Sequence, residues 1–335
     1  MIEITTYQDF VLIDIKKSSL KIKLLNYGAA IYSLETQDYL GNFEDIVMQY
    51  EKLDDYINNN IYLNATIGPI AGRVKDAVIN TEDRAYYLDK NSDNKHTLHS
   101  GSLALSYKFF DYEVNENPDY TEVIFLYEEE KIDYLVKIIY HIYDSKIIIK
   151  FEVETAVDFV FNLTNHAYFN LSGNLKSDIK THLVRLNSNL RHMLDDELIF
   201  TGEIKTENDI YNFLKRKNLI KALASLEKTP KGGIDDIYYF PKNDLRYLMA
   251  EVYDPFSRRM MKVKSTYDHL VFYTHNNINN LPIKHLGEHK KHYALCFECQ
   301  KSPYGFLEAN ASSPRLKQNQ LYEETIVFEF FVKKM

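Results

Sequence analysis

The chain of 335 residues contains no tryptophan, only two cysteines, and few glycines and prolines, 11 and 8 respectively. Without tryptophan, any aromatic surface that contacts a ligand must be built from the 27 tyrosines and 19 phenylalanines. Two cysteines are too few for a disulfide scaffold and are typical of a protein in the reducing cytosol. Because glycine and proline are scarce, many turns must depend on asparagine and aspartate, which tolerate left-handed conformations.

Long apolar runs and clustered positive charge are also missing. No apolar run is long enough to cross a bilayer, and residues 1–6 lack a basic stretch followed by an apolar core. We therefore expect no membrane span, no signal peptide and a cytoplasmic location. The formal net charge of −8 disfavours a nucleic-acid partner, which requires positive charge. Hydrophobic residues at 45% and charged residues at 26% are ordinary for a globular protein with a sizeable core.

Period-two and β-branched runs dominate the chain and predict an all-β, mainly antiparallel fold. The clearest is a hairpin formed by residues 136–143 and 146–153, which turns at Asp144 and Ser145. Further strands are predicted at residues 10–15, 20–25, 121–127, 157–163, 183–186, 260–264, 270–273, 293–300 and 325–332. Only residues 51–58 and 211–226 resemble helices. Since no βαβ alternation, repeat or linker is present, we predict one domain over residues 1–335.

The two cysteines form a Cys296-x-x-Cys299 pair, which could indicate redox chemistry or half of a zinc site. Their segment resembles a strand, however, and residues three apart on a strand point to opposite faces. No second pair is available to complete four ligands. The same alternation places Glu298 on one face with Cys296 and Gln300, so the carboxylate lies at the centre of a strand.

A polar run at residues 162–173, Asn-Leu-Thr-Asn-His-Ala-Tyr-Phe-Asn-Leu-Ser-Gly, contains the most informative histidine. His166 is flanked by asparagine, where an ordinary core strand would carry valine, isoleucine or leucine. A histidine can hold or release a proton near neutral pH. Brought together with the Glu298 carboxylate in a polar cleft, it could exchange protons with one substrate. Taken alone, His166 could equally be a hydrogen-bonded structural residue, and Glu298 a cross-strand partner of a lysine.

Six segments in the same order resemble the signature regions of aldose 1-epimerases. They are the Gly-Ala turn at residues 25–31, the arginine segment at 67–74, His-Thr-Leu-His-Ser-Gly at 96–101, Asn-His with Tyr-Phe-Asn-Leu at 165–171, Gly-Ile-Asp-Asp at 233–236, and Phe-Glu-Cys-Gln at 297–300. The resemblance implies a large twisted β-sandwich of the galactose mutarotase type, with a few short helices and the sugar site in a cleft on one sheet.

The resemblance also implies the chemistry: an isomerase that interconverts the α and β anomers of a free aldohexose, galactose or glucose. His166 would protonate the ring oxygen, and Glu298 would remove the proton of the C1 hydroxyl. We expect Glu298 to be ionised and His166 to be partly protonated beside it. Arg73, His99 and Asp235 would bind the sugar hydroxyls. The expected partner is a small-molecule sugar, and neither a cofactor nor a metal is expected.

Several positions depart from the family pattern. Pro69 replaces the first of two arginines, Gly72 stands where an asparagine often precedes the second, and Val271 replaces a polar contact of some members. Asp236 stands where the family has a histidine. These departures suggest altered hydroxyl selectivity, and the loss of an arginine disfavours a phosphate group.

Three alternatives remain open: a phosphosugar 1-epimerase on the same fold, a non-catalytic sugar-binding protein and, more weakly, a glycoside hydrolase, which usually needs two carboxylates. His285, His289 and His292 resemble a metal cluster. Their lysine neighbours instead indicate a solvated loop.

Overall fold

The computed structural model describes residues 1–81, 84–302 and 314–333. These residues form 26 β-strands, which are numbered in chain order. The strands are β1 (Ile2–Tyr7), β2 (Phe10–Lys16), β3 (Leu20–Leu25), β4 (Ala30–Gln37), β5 (Phe43–Asp45), β6 (Thr66–Ile67), β7 (Arg73–Val74), β8 (Val78–Asn80), β9 (Ala85–Tyr87), β10 (Thr97–Leu98), β11 (Asp111–Glu116), β12 (Thr121–Glu129), β13 (Tyr134–Ile142), β14 (Lys146–Thr155), β15 (Phe159–Val160), β16 (Thr164–Asn165), β17 (Leu183–Leu186), β18 (Leu190–Leu194), β19 (Phe200–Thr206), β20 (Asp235–Tyr239), β21 (Ala250–Tyr253), β22 (Arg259–Ser265), β23 (His269–Tyr273), β24 (Cys296–Gln300), β25 (Arg315–Leu316) and β26 (Leu321–Val332).

The largest sheet has eight strands in the order β11-β12-β13-β14-β26-β22-β21-β17. Every pairing in it is antiparallel. The hairpin predicted from the sequence is confirmed, since Ile142 pairs with Ile147 and the backbone N–H of Tyr143 donates to the carbonyl of Lys146. Along β14 buried and less buried residues alternate, so this sheet packs one face on the core.

Two five-stranded antiparallel sheets accompany the large one. The first is the meander β1-β2-β3-β4-β5 at the start of the chain. The second, called here the site sheet, has the order β19-β18-β20-β23-β24. Four two-stranded ladders complete the fold: β7 with β10, β6 with β16, β8 with β9, and β15 with β25. The structure therefore confirms the prediction of an all-β, mainly antiparallel fold.

One cluster of buried apolar side chains joins all three large sheets. It contains Ile22 of the meander, Phe151 of the eight-stranded sheet and Phe272 of the site sheet. Removing this much apolar surface from water is the main force that holds the layers together. No helix in residues 1–81, 84–302 and 314–333 is long and apolar enough to cross a membrane.

Helices are short, and the longer of the two predicted helices is wrong over most of its length. The α-helix covers only Ile220–Leu226. Residues 211–217 instead run beside β17, where the N–H groups of Val184 and Leu186 donate to the carbonyls of Lys217 and Phe213. Phe213 is fully buried there, so its packing overrides the helical spacing of the apolar residues.

The remaining helices are 3₁₀ segments, and some predicted bounds shift. Their ranges are Leu53–Asn58, Lys75–Ala77, Gly101–Leu103, Leu105–Tyr107 and Ile179–Thr181. The first replaces the helix predicted at residues 51–58. The strand predicted at 157–163 shortens to β15, and the strand predicted at 293–300 shortens to β24. The segment that follows β15 forms an isolated β-bridge instead of a strand, between Asn162 and Ile70.

Candidate active site

The site sheet places two carboxylates on the strands that flank β23. Glu298 lies at the centre of β24 opposite Val271 of β23, and Asp235 begins β20 opposite Tyr273 of the same strand. β23 therefore separates the two acids by one strand. Glu298 is only 4% exposed, whereas Asp235 is partly exposed at the cleft.

His166 reaches the same cleft from the end of β16. Its backbone is fixed on both sides, because its N–H donates to the carbonyl of Ala65 and its carbonyl accepts from the N–H of Asn64. The ring stacks on Tyr168 with centroids 4.9 Å apart and planes at 21°. Nε2 of His166 lies 3.4 Å from Oε1 of Glu298. Two segments more than 130 residues apart in sequence thus present one imidazole and one carboxylate to the same space.

The short β7–β10 ladder brings in Arg73 and His99. Arg73 pairs with Leu98. Gly72 and His99, the residues next to that pair, exchange two hydrogen bonds. The N–H of His99 donates to the carbonyl of Gly72, and the N–H of Gly72 donates to Nδ1 of His99 at 3.2 Å. Gly72 has a φ of +80°, a conformation that suits glycine. This contact fixes the tautomer of the neutral ring: Nε2 carries the proton and acts as a donor.

These residues line one cavity of about 470 Å³, within the ~300–1,000 Å³ range of small-molecule sites. Three buried polar atoms at it have no hydrogen-bond partner within the described part of the chain: Nε of Arg73, Nδ1 of His166 and Oε1 of Gln300. A buried polar atom without a partner costs free energy, so native proteins rarely keep one without a reason. Here the unpaired donors and acceptor indicate a polar ligand.

Burial determines the protonation of the acid–base pair. It lowers the pKa of His166 to about 4 and raises the pKa of Glu298 well above its usual range, with the Asp235 charge adding to the latter. Both shifts run against the expectation of an ionised Glu298 beside a partly protonated His166, because they favour a proton on the carboxyl group over one on the imidazole. Burial also lowers the pKa of His99 well below its usual value, so that ring is neutral.

His99, His166 and Glu298 also place three possible metal-ligand atoms within 4.8 Å of one another. The hydrogen bond of His99 argues against a metal. Its Nδ1 lone pair accepts from Gly72, and its Nε2 carries the proton, so neither nitrogen is free to coordinate. The arrangement suits a hydrogen-bond donor better than a metal ligand.

The other candidate metal sites of the sequence do not assemble. Both Cys296 and Cys299 are buried free thiols, and they belong to different apolar clusters on opposite faces of β24. His285 is exposed, but the expectation of a solvated loop is wrong for His289, which is buried. Its Nε2 lies 2.9 Å from Nε2 of His275. His292 bonds separately to the carbonyl of Thr274 through Nδ1.

The structure adds cleft residues that the sequence argument did not name as site residues. They are Asn60, Tyr62, Lys75, Tyr273, Asn277, Gln300 and a hairpin wall formed by Leu194, Leu198, Ile199 and Phe200. Gln300 could have been found, since it shares the strand face of Glu298. Tyr62 and Asn277 lie in loops without a periodic pattern, so tertiary structure alone brings them here. Of the departures, Gly72 and Val271 line the cavity, while Pro69 does not.

The chain matches the family described as aldose 1-epimerase over residues 11–329. It is 25% identical to human galactose mutarotase over 317 residues, covering 93% of this chain and 92% of the relative. It is 29% identical to the aldose 1-epimerase of Streptococcus thermophilus over 270 residues, covering 77% and 75%. The solved GalM/aldose epimerase homologue of C. elegans superposes with a TM-score of 0.85 at 20% identity, covering 96% of this chain and 99% of that one. This last likeness confirms the fold, a β-sandwich of the galactose mutarotase type.

Proposed function

The chain belongs to the aldose 1-epimerase family, a family of isomerases that act on small sugars, and we propose that it interconverts the α and β anomers of a free aldohexose, galactose or glucose. The observation that carries the proposal is the 3.4 Å approach of His166 Nε2 to Glu298 Oε1 inside the cleft. One acid and one base at that separation can serve the two ends of a single hemiacetal.

The proposed reaction moves two protons and breaks one bond. Glu298 takes the proton of the C1 hydroxyl, His166 gives a proton to the ring oxygen, and the bond from C1 to that oxygen breaks as the C1 carbonyl forms. Rotation about C1–C2 turns the carbonyl, and the same two groups reverse their roles on closure. Each group of this kind typically contributes about 10²–10⁴-fold in rate.

The reactive form of the pair has the proton on His166 and a negative charge on Glu298. This is the reverse of the proton distribution that burial favours. Both forms contain one proton, so no proton need enter or leave with the sugar. Sugar hydroxyls that donate to Glu298 would favour the carboxylate and thereby shift the proton to the imidazole. Arg73, Asp235 and His99 would hold the remaining oxygens, with His99 donating through Nε2. No step requires an electron carrier or a group carrier.

Polarimetry of freshly dissolved α-D-galactose and α-D-glucose tests the proposal. The protein should bring the optical rotation to its equilibrium value faster than buffer alone, in proportion to its concentration. Calorimetric titration with the same sugars separates the alternatives. Binding without any acceleration would establish a sugar-binding protein, and the epimerase proposal would then be wrong.

A further inference from the structure

Asp236, which replaces the histidine of the family pattern, is completely buried behind the cleft. It lies on the opposite face of β20 from Asp235, as neighbours on a strand do. Its Oδ1 accepts hydrogen bonds from Nη1 of Arg191 at 2.8 Å and from Nζ of Lys231 at 2.7 Å. Buried charges are tolerated only when they are paired and hydrogen-bonded, and here one carboxylate has two cationic donors.

The same groups bind the backbone of Asp235. Oδ2 of Asp236 accepts from the N–H of Asp235 at 3.2 Å, and Nζ of Lys231 donates to the carbonyl of Asp235 at 2.9 Å. The neighbouring strand β18 pairs with β20 only through Leu190–Tyr239 and Arg191–Tyr238. The Asp235 end of β20 thus extends beyond that pairing, and side chains bind its backbone groups there.

Arg191 is itself held in place. Its Nε donates to Oε1 of Glu207 at 2.8 Å, Nη2 lies 2.6 Å from the same oxygen, and the guanidinium lies over the ring of Tyr211 at 4.0 Å. Arg191 and Lys231 supply two positive charges, and Asp236 and Glu207 supply two negative ones. Each of these four charges has a partner of opposite sign within hydrogen-bond distance, so the side chains that bind the Asp235 backbone are themselves held in place.

We propose that Asp236 is a positioning residue for sugar binding. With Arg191 and Lys231 it fixes the backbone of Asp235, so that the Asp235 carboxylate is oriented toward the sugar hydroxyls before the sugar arrives. The inference rests on the proposed function for the role of Asp235. Preorganisation of this kind removes an ordering cost from binding. Its loss raises KM and leaves the proton transfers at His166 and Glu298 unchanged.

The Lys231→Met variant tests the proposal most directly. It removes the hydrogen bonds to Asp235 and Asp236 at a side chain only 15% exposed, and methionine keeps an unbranched chain of similar length. We expect KM for glucose mutarotation to rise about tenfold with kcat within about twofold, as for the loss of one charge-assisted hydrogen bond. Lys231→Arg keeps the charge and should restore most of the affinity. Lys228→Met, at an exposed lysine of the same segment, is the matched control and should keep the original KM.

A double-mutant cycle distinguishes positioning from general loosening. If Lys231 acts through Asp235, Lys231→Met should raise KM much less in an Asp235→Ala background. Asp236→Asn, with thermal unfolding measured alongside, provides a second variant with the same expectation. An unchanged KM in folded Lys231→Met, or an equal rise in both backgrounds, overturns the proposal.

The experiment also separates this inference from the proposed function. If the unmodified protein binds glucose without turnover, the epimerase proposal fails, but calorimetric affinities in the same cycle still decide the role of Asp236. If it turns over glucose and Lys231→Met has no effect on KM, only the positioning role fails. If glucose neither binds nor reacts, both fail.

Discussion

The chemistry of the cleft depends at the residue scale on one proton shared by His166 and Glu298. Burial disfavours charge on both groups, lowering the pKa of the imidazole and raising that of the carboxyl. Burial therefore favours the uncharged form of the pair, and in the proposed reaction the bound sugar has to favour the ionic form.

Substituting either member of the pair should abolish mutarotation without unfolding the protein. His166→Asn and Glu298→Gln keep hydrogen-bonding groups of similar size, so we expect kcat to fall by about 10²-fold or more. Polarimetry measures the loss, and calorimetry should still detect sugar binding. Cys296→Ser, at a buried neighbour on the strand face of Glu298, is a control for disturbance of β24. Turnover at the original rate in either variant would remove that residue from its proposed role.

Because His166 and Glu298 share one proton in the proposed reaction, we expect a bell-shaped dependence of kcat/KM on pH. As pH falls through about 4, His166 gains a proton while Glu298 remains protonated, so no base is left and activity falls. As pH rises through the raised pKa of Glu298, the pair loses its only proton, so no acid is left. Polarimetry across pH 3.5–9, corrected for the buffer rate, measures the acid limb near pH 4 and any alkaline limb within that range. Activity that stays constant across the whole range would contradict a single shared proton.

The proposed site residues could be located from sequence because their motifs are local. Asn165-His166 and Phe297-Glu298 are each read within a few residues, and strand alternation gave the face of Glu298. Protonation could not be read in this way, since it depends on desolvation by the whole fold. The positioning role of Asp236 could not be predicted from sequence either. It depends on tertiary hydrogen bonds to Arg191 and Lys231, which lie 45 and 5 residues away and share no motif with Asp236.

At the element scale, the hairpin of β18 and β19 contributes four apolar side chains to one wall of the cleft. Leu194, Leu198, Ile199 and Phe200 line the cavity on this side. The turn of the hairpin is held by Glu197, whose carboxylate lies 2.6 Å from Nζ of Lys95 and 3.4 Å from Nε2 of His96. A polar site with an apolar outer wall suits a substrate with more than one pyranose ring, because sugar rings have apolar C–H faces.

We therefore expect the wall to affect reducing disaccharides more than monosaccharides. Ile199→Ser should lower kcat/KM for maltose or lactose about fourfold, as for the loss of one buried methylene contact at ~0.8 kcal/mol. The value for glucose should change less than about twofold. Leu40→Ser, at a residue 69% exposed and outside the cavity lining, is the control. An equal fall for glucose would show that the wall touches the reacting ring instead.

Long regular elements could be predicted from sequence, and short or irregular ones could not. The β13–β14 hairpin has period-two alternation over nine paired residues and a polar turn. β19, in contrast, has six exposed residues among seven, so it carries no apolar pattern. Residues 211–217 carried a helical spacing that tertiary pairing with β17 overrode. The wall of the cleft comes from such elements, which is why the sequence did not reveal it.

At the scale of the whole molecule, charge opposes a phosphorylated substrate. The net charge is −8, and the cavity lining includes the acidic residues Asp195 and Asp235 besides Glu298, whose proton burial favours. Its lining includes the cations Arg73 and Lys75, while the position of the family's first arginine is occupied by Pro69 outside the cavity. A phosphate dianion gains most from bidentate guanidinium groups, and one such group is offered here.

Glucose should accordingly be preferred to glucose 6-phosphate by about tenfold or more in kcat/KM, or ~1.4 kcal/mol. The comparison is made by polarimetry at equal ionic strength. Raising the salt concentration should narrow the difference, since salt screens the repulsion of the dianion. A preference for the phosphate would replace the free-sugar proposal with the phosphosugar alternative.

Buried histidines predict how the stability of the whole fold depends on pH. Seven buried rings have pKa values below the ordinary 6.5, each chiefly because of burial: His99, His141, His166, His182, His192, His275 and His289. Below pH 6.5 these histidines bind protons in the unfolded chain but stay neutral in the native state. The free energy of unfolding therefore falls as pH falls toward about 4. The raised pKa values of Asp45, Asp235 and Glu298 act in the opposite direction. Because the histidines outnumber these carboxyls, we expect the loss of stability to prevail.

We expect the free energy of unfolding in urea to be lower at pH 5.0 than at pH 7.5 by at least ~1 kcal/mol. His182→Gln should reduce this difference. The pKa of the ring is about 4, and its Nε2 accepts from the N–H of Leu171 at 3.0 Å, a bond that a glutamine oxygen can also accept but a protonated ring cannot. His285→Gln, at an exposed ring, should leave the difference unchanged. Stability that stays constant or rises on acidification would show that the buried carboxyls outweigh the histidines.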